Sequence, residues 1–236
     1  LRELENLHPG ATLLNDMQIK RITYPGAIPS GVSGNITVES GTLTISSPLS
    51  MLPDAEIVVR AGATLRIQAE VSTACETLWR GVRVEDGGQV FLSGTNGIIR
   101  DARCGIRVEN GGYAELFGGK LLNNEIGLFL VDRVQDNNYP QCKAMFADFF
   151  IDESYRSGET QPVLVKLDDT ERFFASNCTF TDWREDCTLP ACSGRAIGVQ
   201  SLESSPRIIF SHFGHLDKGV YASDLTLENG SVKLEN

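Results

Sequence analysis

Two short groups of side chains have the composition needed for acid–base or metal chemistry. One is the carboxylate pair Asp168-Asp169, and the other is the histidine pair His212 and His215. Successive side chains of a strand point to opposite faces, so neither the adjacent carboxylates nor the histidines three positions apart share a face. The chain also lacks the phosphate-binding loop, the dinucleotide-binding loop and the nucleophile elbow. The sequence therefore predicts no catalytic residue, no metal centre and no organic cofactor.

Five outward-facing residues are the candidates for contact with a partner. Phe91, Tyr113 and Phe117 alternate away from the predicted core on neighbouring repeats, beside Arg83 and Arg107. Exposed aromatic rings stack on sugar rings or anchor protein interfaces. The sequence predicts a strip here that binds a protein or a glycan. The alternative is that the N-terminal segment or a long loop lies over the strip.

The cysteines favour a disulfide framework over a structural zinc site, because their number is even and no Cys-x-x-Cys pair occurs. The six are Cys75, Cys104, Cys142, Cys178, Cys187 and Cys192. Cys187 and Cys192 flank a short loop and are close enough to bridge each other, while the other pairings stay open. Alternatively, Cys104 and Cys178 are small buried thiols. Since disulfides persist in oxidising compartments, the sequence favours a secreted or cell-surface protein.

The charge balance and hydropathy exclude two classes of partner. The 236 residues include 31 acidic and 21 basic side chains, for a net charge of −10. An acidic surface repels phosphate backbones, so nucleic acid is not an expected partner. No apolar stretch approaches the roughly 18–20 residues that cross a bilayer, so no membrane insertion is expected. Because the chain begins at Leu1 without a signal-peptide pattern, we expect a mature or excised form.

A phrase of the form Val-Glu-Asp/Asn-Gly returns in register along the chain. Its exact and looser copies place glycines at positions 41, 62, 87, 111 and 230, so the gaps are 21, 25, 24 and 119 residues. A period in the low twenties, with alternating apolar runs around a glycine turn, is typical of a solenoid whose coils stack. Calcium at these turns is a weak alternative, because one carboxylate per turn falls short of the roughly six to eight oxygens that calcium prefers.

Each repeat contains three short apolar segments separated by small or polar corner residues. The inward positions then stack from repeat to repeat, with Val82 on Ile106 and Val84 on Val108. A polar column is predicted to cap backbone groups at one corner, and its members are Asp101, Asn123, Asp182 and His215. We therefore predict an all-β fold: a right-handed parallel β-helix with three strands and about 21–25 residues per coil, preceded by an N-terminal cap.

The three-segment coil, the Asn/Asp corners and the Gly-Ile-x-Val strand opening resemble the right-handed parallel β-helix of the pectate-lyase-like superfamily. Within it, Trp79-Arg80-Gly81-Val82-Arg83-Val84, followed by Gly87-Gly88, is similar to repeats of secreted, cell-surface β-helix proteins of Bacteroidota. The resemblance covers about residues 32–236. It is compatible with adhesins and with polysaccharide lyases or glycoside hydrolases, in which Arg83, Arg107 or acidic loop residues would form the site.

The predicted organisation is a cap over residues 1–31 and a β-helix over 32–236, with loop insertions near 132–143, 152–161 and 183–194. The final strand leaves unpaired backbone groups, so a partner protein or a further chain segment is expected to dock on the last coil. The preferred function is a non-enzymatic extracellular or cell-surface scaffold, adhesin or assembly subunit. The alternative is a polysaccharide lyase or glycoside hydrolase.

Overall fold

The computed structural model describes residues 13–14, 17–19, 22–27, 31–109, 111–133, 141–157, 160–170, 173–185, 194–223 and 233–235. Every regular element in these ranges is a β-strand, and 27 strands are present. None of the described residues belongs to a helix of the length and hydropathy suited to crossing a lipid bilayer.

The strands follow one another in nine coils of three. The first three coils contain β1 (Leu13–Leu14), β2 (Met17–Ile19), β3 (Ile22–Ala27), β4 (Gly31–Ser33), β5 (Ile36–Val38), β6 (Gly41–Ile45), β7 (Leu49–Met51), β8 (Glu56–Val59) and β9 (Ala63–Ile67). The next three contain β10 (Glu70–Thr73), β11 (Trp79–Val84), β12 (Gln89–Ser93), β13 (Ile98–Arg100), β14 (Ala102–Val108), β15 (Tyr113–Phe117), β16 (Lys120–Leu122), β17 (Ile126–Arg133) and β18 (Cys142–Met145). The last three contain β19 (Asp148–Ile151), β20 (Val163–Thr170), β21 (Phe173–Ser176), β22 (Thr179–Asp182), β23 (Ile197–Leu202), β24 (Pro206–Ile209), β25 (His212–Gly214), β26 (Lys218–Ser223) and β27 (Lys233–Glu235).

The strands form three nine-stranded parallel sheets. Sheet A takes the first strand of every coil, sheet B the second and sheet C the third, and each strand pairs with its counterpart one coil further on. The register in sheet B pairs Ile36 with Ile57, Val59 with Val84, and Val84 with Val108, which are steps of 21, 25 and 24 residues. The predicted right-handed parallel β-helix with three strands per coil is therefore confirmed.

The core is a set of side-chain columns that run along the inside of the helix. In sheet B, fully buried side chains stack from coil to coil: Val38, Val59, Val84, Val108, Leu130 and Leu167. In sheet A, the Phe149 and Phe180 rings lie 4.9 Å apart, and the Phe180 and Phe213 rings 4.7 Å apart, nearly parallel in both cases. These spacings match the separation of about 4.8 Å between neighbouring strands, so one ring per coil packs inside the last three coils.

A glycine in the first half of the sheet B strands is required by close stacking of the backbone. A Cβ added at Gly105 would lie 2.6 Å from the carbonyl oxygen of Gly127, and one added at Gly127 would lie 2.4 Å from that of Leu164. These distances are shorter than a Cβ tolerates. The Gly-Ile-x-Val opening therefore reflects contact between coils rather than chemistry.

The structure places the first coil within residues 1–31, the segment predicted as an N-terminal cap. Strands β1, β2 and β3 pair in parallel with β4, β5 and β6 of the second coil. The first two of these strands contain only two and three residues, too few for an alternating pattern to be recognised in the sequence. Residues 1–12 lie outside the described part of the chain.

The three interruptions of the repeat fall between strands at corners of the helix. The first connects β17 to β18, at a corner between sheets B and C, and residues 134–140 of it lie outside the described part. The second and third connect β19 to β20 and β22 to β23, so they leave the same corner, between sheets A and B, on successive coils.

The predicted disulfide framework is not supported over the residues that the structure describes. No disulfide joins the four described cysteines Cys75, Cys104, Cys142 and Cys178. The Cys142 sulfur accepts a hydrogen bond from the backbone N–H of Ala114 at 3.2 Å. Burial raises the pKa of Cys104 to about 12 and that of Cys178 to about 11, so both thiols stay protonated and behave as small apolar side chains. Cys187 and Cys192 lie outside the described residues.

Candidate functional site

In part of the helix, one residue in each coil takes a left-handed backbone conformation at the corner where sheet C passes to sheet A. Through five successive coils these residues are Gly94, Gly118, Phe146, Asn177 and Phe210, with φ between 49° and 76°. Glycine and asparagine adopt this conformation readily, whereas a bulky side chain with a Cβ rarely does. The two phenylalanines are therefore unusual occupants of the corner.

Both phenylalanines are also exposed to solvent. Phe146 retains 56% of its accessible surface and Phe210 61%, and Phe117, the last residue of β15, retains 50%. The Phe117 and Phe146 rings meet edge to face with centroids 5.7 Å apart. Asn177 occupies the coil between Phe146 and Phe210. We call Phe117, Phe146 and Phe210 the aromatic ridge.

The stability of the fold does not account for the ridge. A left-handed conformation costs a residue with a Cβ roughly 1–2 kcal/mol, and a ring left in water recovers little of that by burial. Gly94 and Gly118 make the same turn in the two preceding coils without a side chain. The ridge side chains therefore remain available for contact with another molecule.

The aromatic strip predicted from the sequence is only partly exposed. Phe117 is exposed, but Phe91 is half-buried and Tyr113 retains 8% of its surface. The Phe91 ring lies 5.7 Å from the Tyr113 ring and 4.8 Å from the Arg66 guanidinium. The Tyr113 hydroxyl donates a hydrogen bond of 2.5 Å to Glu115. Two of the three predicted contact rings are thus engaged with neighbouring side chains of sheet C.

The two predicted arginines lie side by side on the outer face of sheet B, in direct register. Arg83 pairs with Glu85 at 2.7 Å and with Glu56 at 3.3 Å, and it lies 3.8 Å from Glu109. Partial burial alone would lower the pKa of Arg83, but Glu56 and Glu85 raise it above its ordinary value. Arg83 is thus held as a cation among carboxylates, which does not suit it to accept a proton.

Arg107 opens a column of cations and aromatic rings further along the same face. It pairs with Glu109 at 3.3 Å, and its guanidinium lies 4.9 Å from the centroid of the Phe129 ring. The Lys166 ammonium lies 4.9 Å from that centroid as well. In register, Phe129 follows Arg107 and Lys166 follows Phe129, so one ring serves two cations on neighbouring coils.

The residues considered for acid–base and metal chemistry do not converge. Asp168 is half-buried and Asp169 is exposed at the end of β20, where Asp169 has φ 48°. His212 and His215 are exposed in the last coil, and the His215 ring lies 5.0 Å from the Trp183 ring. Over the described ranges, no group of three histidine, cysteine, aspartate or glutamate side chains is arranged to hold a metal ion.

Two of the four residues predicted to cap backbone groups at the corner between sheets A and B do so: Asn123 and Asp182. Asn123 and Asp182 are fully buried. The Asn123 side chain accepts a hydrogen bond from the Asp152 backbone N–H at 2.8 Å, and Asp182 accepts one from the Ala196 backbone N–H at 2.7 Å. Asn123 therefore binds a loop backbone in the next coil, and Asp182 binds one within its own coil.

Residues 152–157, which we call the strap, fold back along this corner. The Arg156 guanidinium donates a hydrogen bond of 2.6 Å to the carbonyl oxygen of Cys75, three coils earlier. The Arg100 guanidinium donates one of 3.2 Å to the Ser154 hydroxyl, two coils away. The second insertion of the sequence thus connects four coils of the helix.

Asp101 is buried at this corner. One of its carboxylate oxygens accepts a hydrogen bond of 2.9 Å from Arg100, while the other is buried and has no partner among the described residues. Burial raises the pKa of Asp101 above its ordinary value, although Arg100 opposes the shift. Ionisation of this carboxyl therefore works against the fold.

The sequence reasoning missed Phe146 and Phe210. The usable signal is the position after the last residue of each sheet C strand, where two coils have glycine and the next has Phe146. To use that signal, the end of each strand must be predicted to within one residue, and the insertions make the strand ends hard to locate in the sequence. Two further exposed rings, Trp183 at 56% and Tyr221 at 39%, lie outside the ridge.

Comparison of the chain with protein-family models, with curated proteins and with solved structures gave no match.

Proposed function

We propose that the chain is a non-enzymatic extracellular or cell-surface β-helix scaffold that binds a partner protein through the aromatic ridge. The observation that carries the proposal is that Phe146 and Phe210 stay exposed in a backbone conformation that suits glycine. Such outliers are retained where contact with another molecule compensates for the local cost. Exposed aromatic anchors are the side chains that dominate binding energy at protein interfaces.

The shape of the molecule supports a scaffold. Nine stacked coils at a spacing of about 4.8 Å make a rod of roughly 40 Å. Its interior is filled by continuous side-chain columns, so the corners keep a fixed spacing along the axis. A ridge on such a rod is held ready for binding, which limits the entropy lost when a partner docks.

The proposed location rests on the resemblance of the Trp79–Val84 repeat to secreted, cell-surface β-helix proteins of the pectate-lyase-like superfamily. The cysteines give it less support than the sequence suggested, because no disulfide joins the four described cysteines. An adhesin or assembly subunit of this kind would hold the rod at the cell surface and direct the ridge toward the partner.

The test compares the wild-type chain with a ridge variant, Phe117→Ser/Phe146→Gly/Phe210→Gly. Tyr221→Ser, which removes an exposed ring outside the ridge, is the matched control. Each protein is immobilised and exposed to surface extracts of the source cells, and bound proteins are quantified by mass spectrometry. We expect a partner bound by wild type and control to fall at least about tenfold with the ridge variant, the change that about 1.4 kcal/mol produces.

The fold of each variant is checked by circular dichroism, so that lost binding is not confused with unfolding. The proposal is wrong if the ridge variant retains every partner at wild-type levels. It is also wrong if Tyr221→Ser loses the same partner to the same extent.

A polysaccharide lyase or glycoside hydrolase is the second candidate, favoured by the column of Arg107, Phe129 and Lys166 on the outer face of sheet B. Cations beside an aromatic ring suit an acidic sugar polymer. Acidic polysaccharides incubated with the chain, with and without calcium, give the test. New unsaturated or reducing ends that disappear with Arg107→Ala would favour the enzyme, and binding without cleavage would favour a glycan as the scaffold's partner.

A further inference from the structure

The aromatic ridge borders a column of outward-facing side chains on sheet C that is rich in cations. In register from the third coil to the eighth, the column contains Arg66, Phe91, Glu115, Lys143, Phe174 and Arg207. Three of these six are cations and one is a carboxylate, although the whole chain has 31 acidic and 21 basic side chains. In the ninth coil Lys233 follows Arg207 and Glu235 follows Ile209, which adds no net charge. The column is therefore positively charged on a chain that is negative overall.

The two coils that carry Phe146 and Phe210 repeat one pattern of side chains. Strand β18 ends in Lys-Ala-Met just before Phe146, and strand β24 ends in Arg-Ile-Ile just before Phe210. In each strand the middle residue of the three is buried and the last is half-buried. Lys143 is half-buried and pairs with Glu115 at 3.1 Å, and Arg207 is exposed. Each coil thus presents a cation, an aliphatic or thioether side chain and an exposed ring across the outer face.

This face offers side chains only, because its backbone groups are used within the sheet. Strands β18, β21 and β24 are consecutive inner strands of sheet C, with β15 on one side and β27 on the other. Each is hydrogen-bonded to a neighbouring strand on both sides, so a partner does not bind here by adding a strand. The partner therefore contacts this face through side chains, as an amphipathic helix does when it lays one face on a surface.

The spacing of the coils matches the spacing of turns in an α-helix. Phe146 and Phe210 lie two coils apart, which is about 10 Å at the usual separation of strands. Lys143 and Arg207 are separated by the same two coils. Residues seven apart in an α-helix lie on one face and about 10.5 Å apart. A helix parallel to the rod axis therefore reaches both rings, with its intervening turn over Asn177 in the coil between them.

We infer that the partner bound by the aromatic ridge contributes an acidic amphipathic helix. The apolar stripe of the helix lies on Phe146, Phe210 and the half-buried side chains beside them. Two of its carboxylates, seven residues apart, face Lys143 and Arg207, so that charge complementarity fixes the position of the helix along the rod. The inference rests on the proposed function, since it names the chemistry of the molecule that the ridge binds.

The test selects helical peptides from a display library in which an apolar stripe is fixed and the other positions are randomised among Glu, Lys and Gln. Peptides are selected on the immobilised wild-type chain, and their affinities are then measured for the wild type, the ridge variant and Arg207→Glu. We expect the peptides that need the ridge to carry more Glu than Lys, and to bind Arg207→Glu at least about tenfold more weakly. Their binding should also weaken between about 50 and 500 mM NaCl, because salt screens the charges.

Arg80→Glu is the matched control, because it reverses the charge of another exposed arginine, in strand β11 of sheet B. It should bind the same peptides within about twofold of wild type, as expected for a charge remote from the contact. Circular dichroism checks the fold of every variant.

The inference is overturned if the peptides that need the ridge carry no excess of Glu, or if Arg207→Glu binds them as tightly as Arg80→Glu. In both cases the ridge still binds, so the proposed function stands. The inference is also overturned if no selected peptide needs the ridge, or if alginate, an acidic polysaccharide tested in parallel, depends on the ridge and Arg207 while the peptides do not. The surface-extract experiment then decides separately whether the ridge binds a protein.

Discussion

At the scale of single residues, position along the coil decides what a side chain does. Gly118 and Phe146 occupy the same left-handed corner in successive coils, yet one only turns the chain and the other also presents an exposed ring. Asp101 and Asn123 likewise share a corner, but only Asp101 has a buried oxygen without a partner among the described residues. Identical backbone positions thus serve contact in one coil and packing in the next.

Phe146→Gly should leave the free energy of unfolding within about 1 kcal/mol of wild type. The substitution removes an exposed ring and its edge contact with Phe117, but it also relieves a left-handed conformation. Chemical denaturation measures the change. Phe149→Ala, at a fully buried ring, is the comparison and should lose about 3–5 kcal/mol. A loss above about 2 kcal/mol for Phe146→Gly would mean that the ring supports the fold.

Asp101→Asn should raise the thermal midpoint at pH 7, and the gain should shrink as the pH falls toward 4. Burial raises the pKa of Asp101 in the folded chain above the ordinary value of 3.8. The folded state therefore holds this proton more tightly, and stability is lost as the pH rises from the unfolded pKa through the folded one. Asn suits the backbone, since Asn123 takes the same conformation one coil later.

Thermal melts followed by circular dichroism from pH 4 to pH 7 give the comparison for Asp101→Asn. The control is Asp54→Asn, at an exposed aspartate that also has positive φ and pairs with Arg103 at 3.0 Å. Its effect should be small at every pH, as expected for a surface ion pair. A loss of stability at pH 7 for Asp101→Asn, or a gain that does not change with pH, would contradict the argument.

At the scale of strands, the distance between neighbouring coils limits which residues a strand can contain. Gly105 and Gly127 lie in successive strands of sheet B, and each lies close enough to the next backbone to exclude a Cβ. Leu164 follows Gly127 in the stack and supplies the carbonyl oxygen that Gly127 faces. The glycine position in these strands is therefore specified by the next coil as much as by the strand's own sequence.

Gly127→Ala should lower the free energy of unfolding by about 1–3 kcal/mol or more, because its Cβ would lie 2.4 Å from the Leu164 carbonyl oxygen. Gly94→Ala is the matched control, since Gly94 has φ 76° but open space around a Cβ. It should lose only the roughly 1–2 kcal/mol of the left-handed conformation. Chemical denaturation measures the free energy of unfolding of both variants. If Gly127→Ala loses no more than Gly94→Ala, the coils separate easily and the argument is contradicted.

At the scale of the whole molecule, the sequence predicted the features that recur in every coil and missed those that occur once. The period, the stacking of Val84 on Val108 and the polar corner at Asn123 all follow from spacing, because each coil must match the next. Disulfides depend instead on the distance and direction of two Cβ atoms, which spacing alone does not give, and no disulfide joins Cys142 to Cys178.

The candidate site was harder to predict than the fold. Phe117 was identified from alternation along its strand, but Tyr113 has the same alternation and is nearly buried beside Phe91. Phe146 and Phe210 lie just beyond their strands, where alternation no longer applies and exposure depends on the corner turn. Surface contacts of this kind are set by three-dimensional neighbours, which a single sequence does not display.

The strap changes how the rod comes apart. In a simple solenoid each coil is held only by its neighbours, so unfolding proceeds one coil at a time from either end. The bond from Arg156 to Cys75 joins the seventh coil to the fourth, and the bond from Arg100 to Ser154 joins the fifth to the seventh. Unfolding of any one of these coils therefore breaks hydrogen bonds through which the strap holds the others. The middle of the rod, from the fourth coil to the seventh, thus melts as one cooperative block.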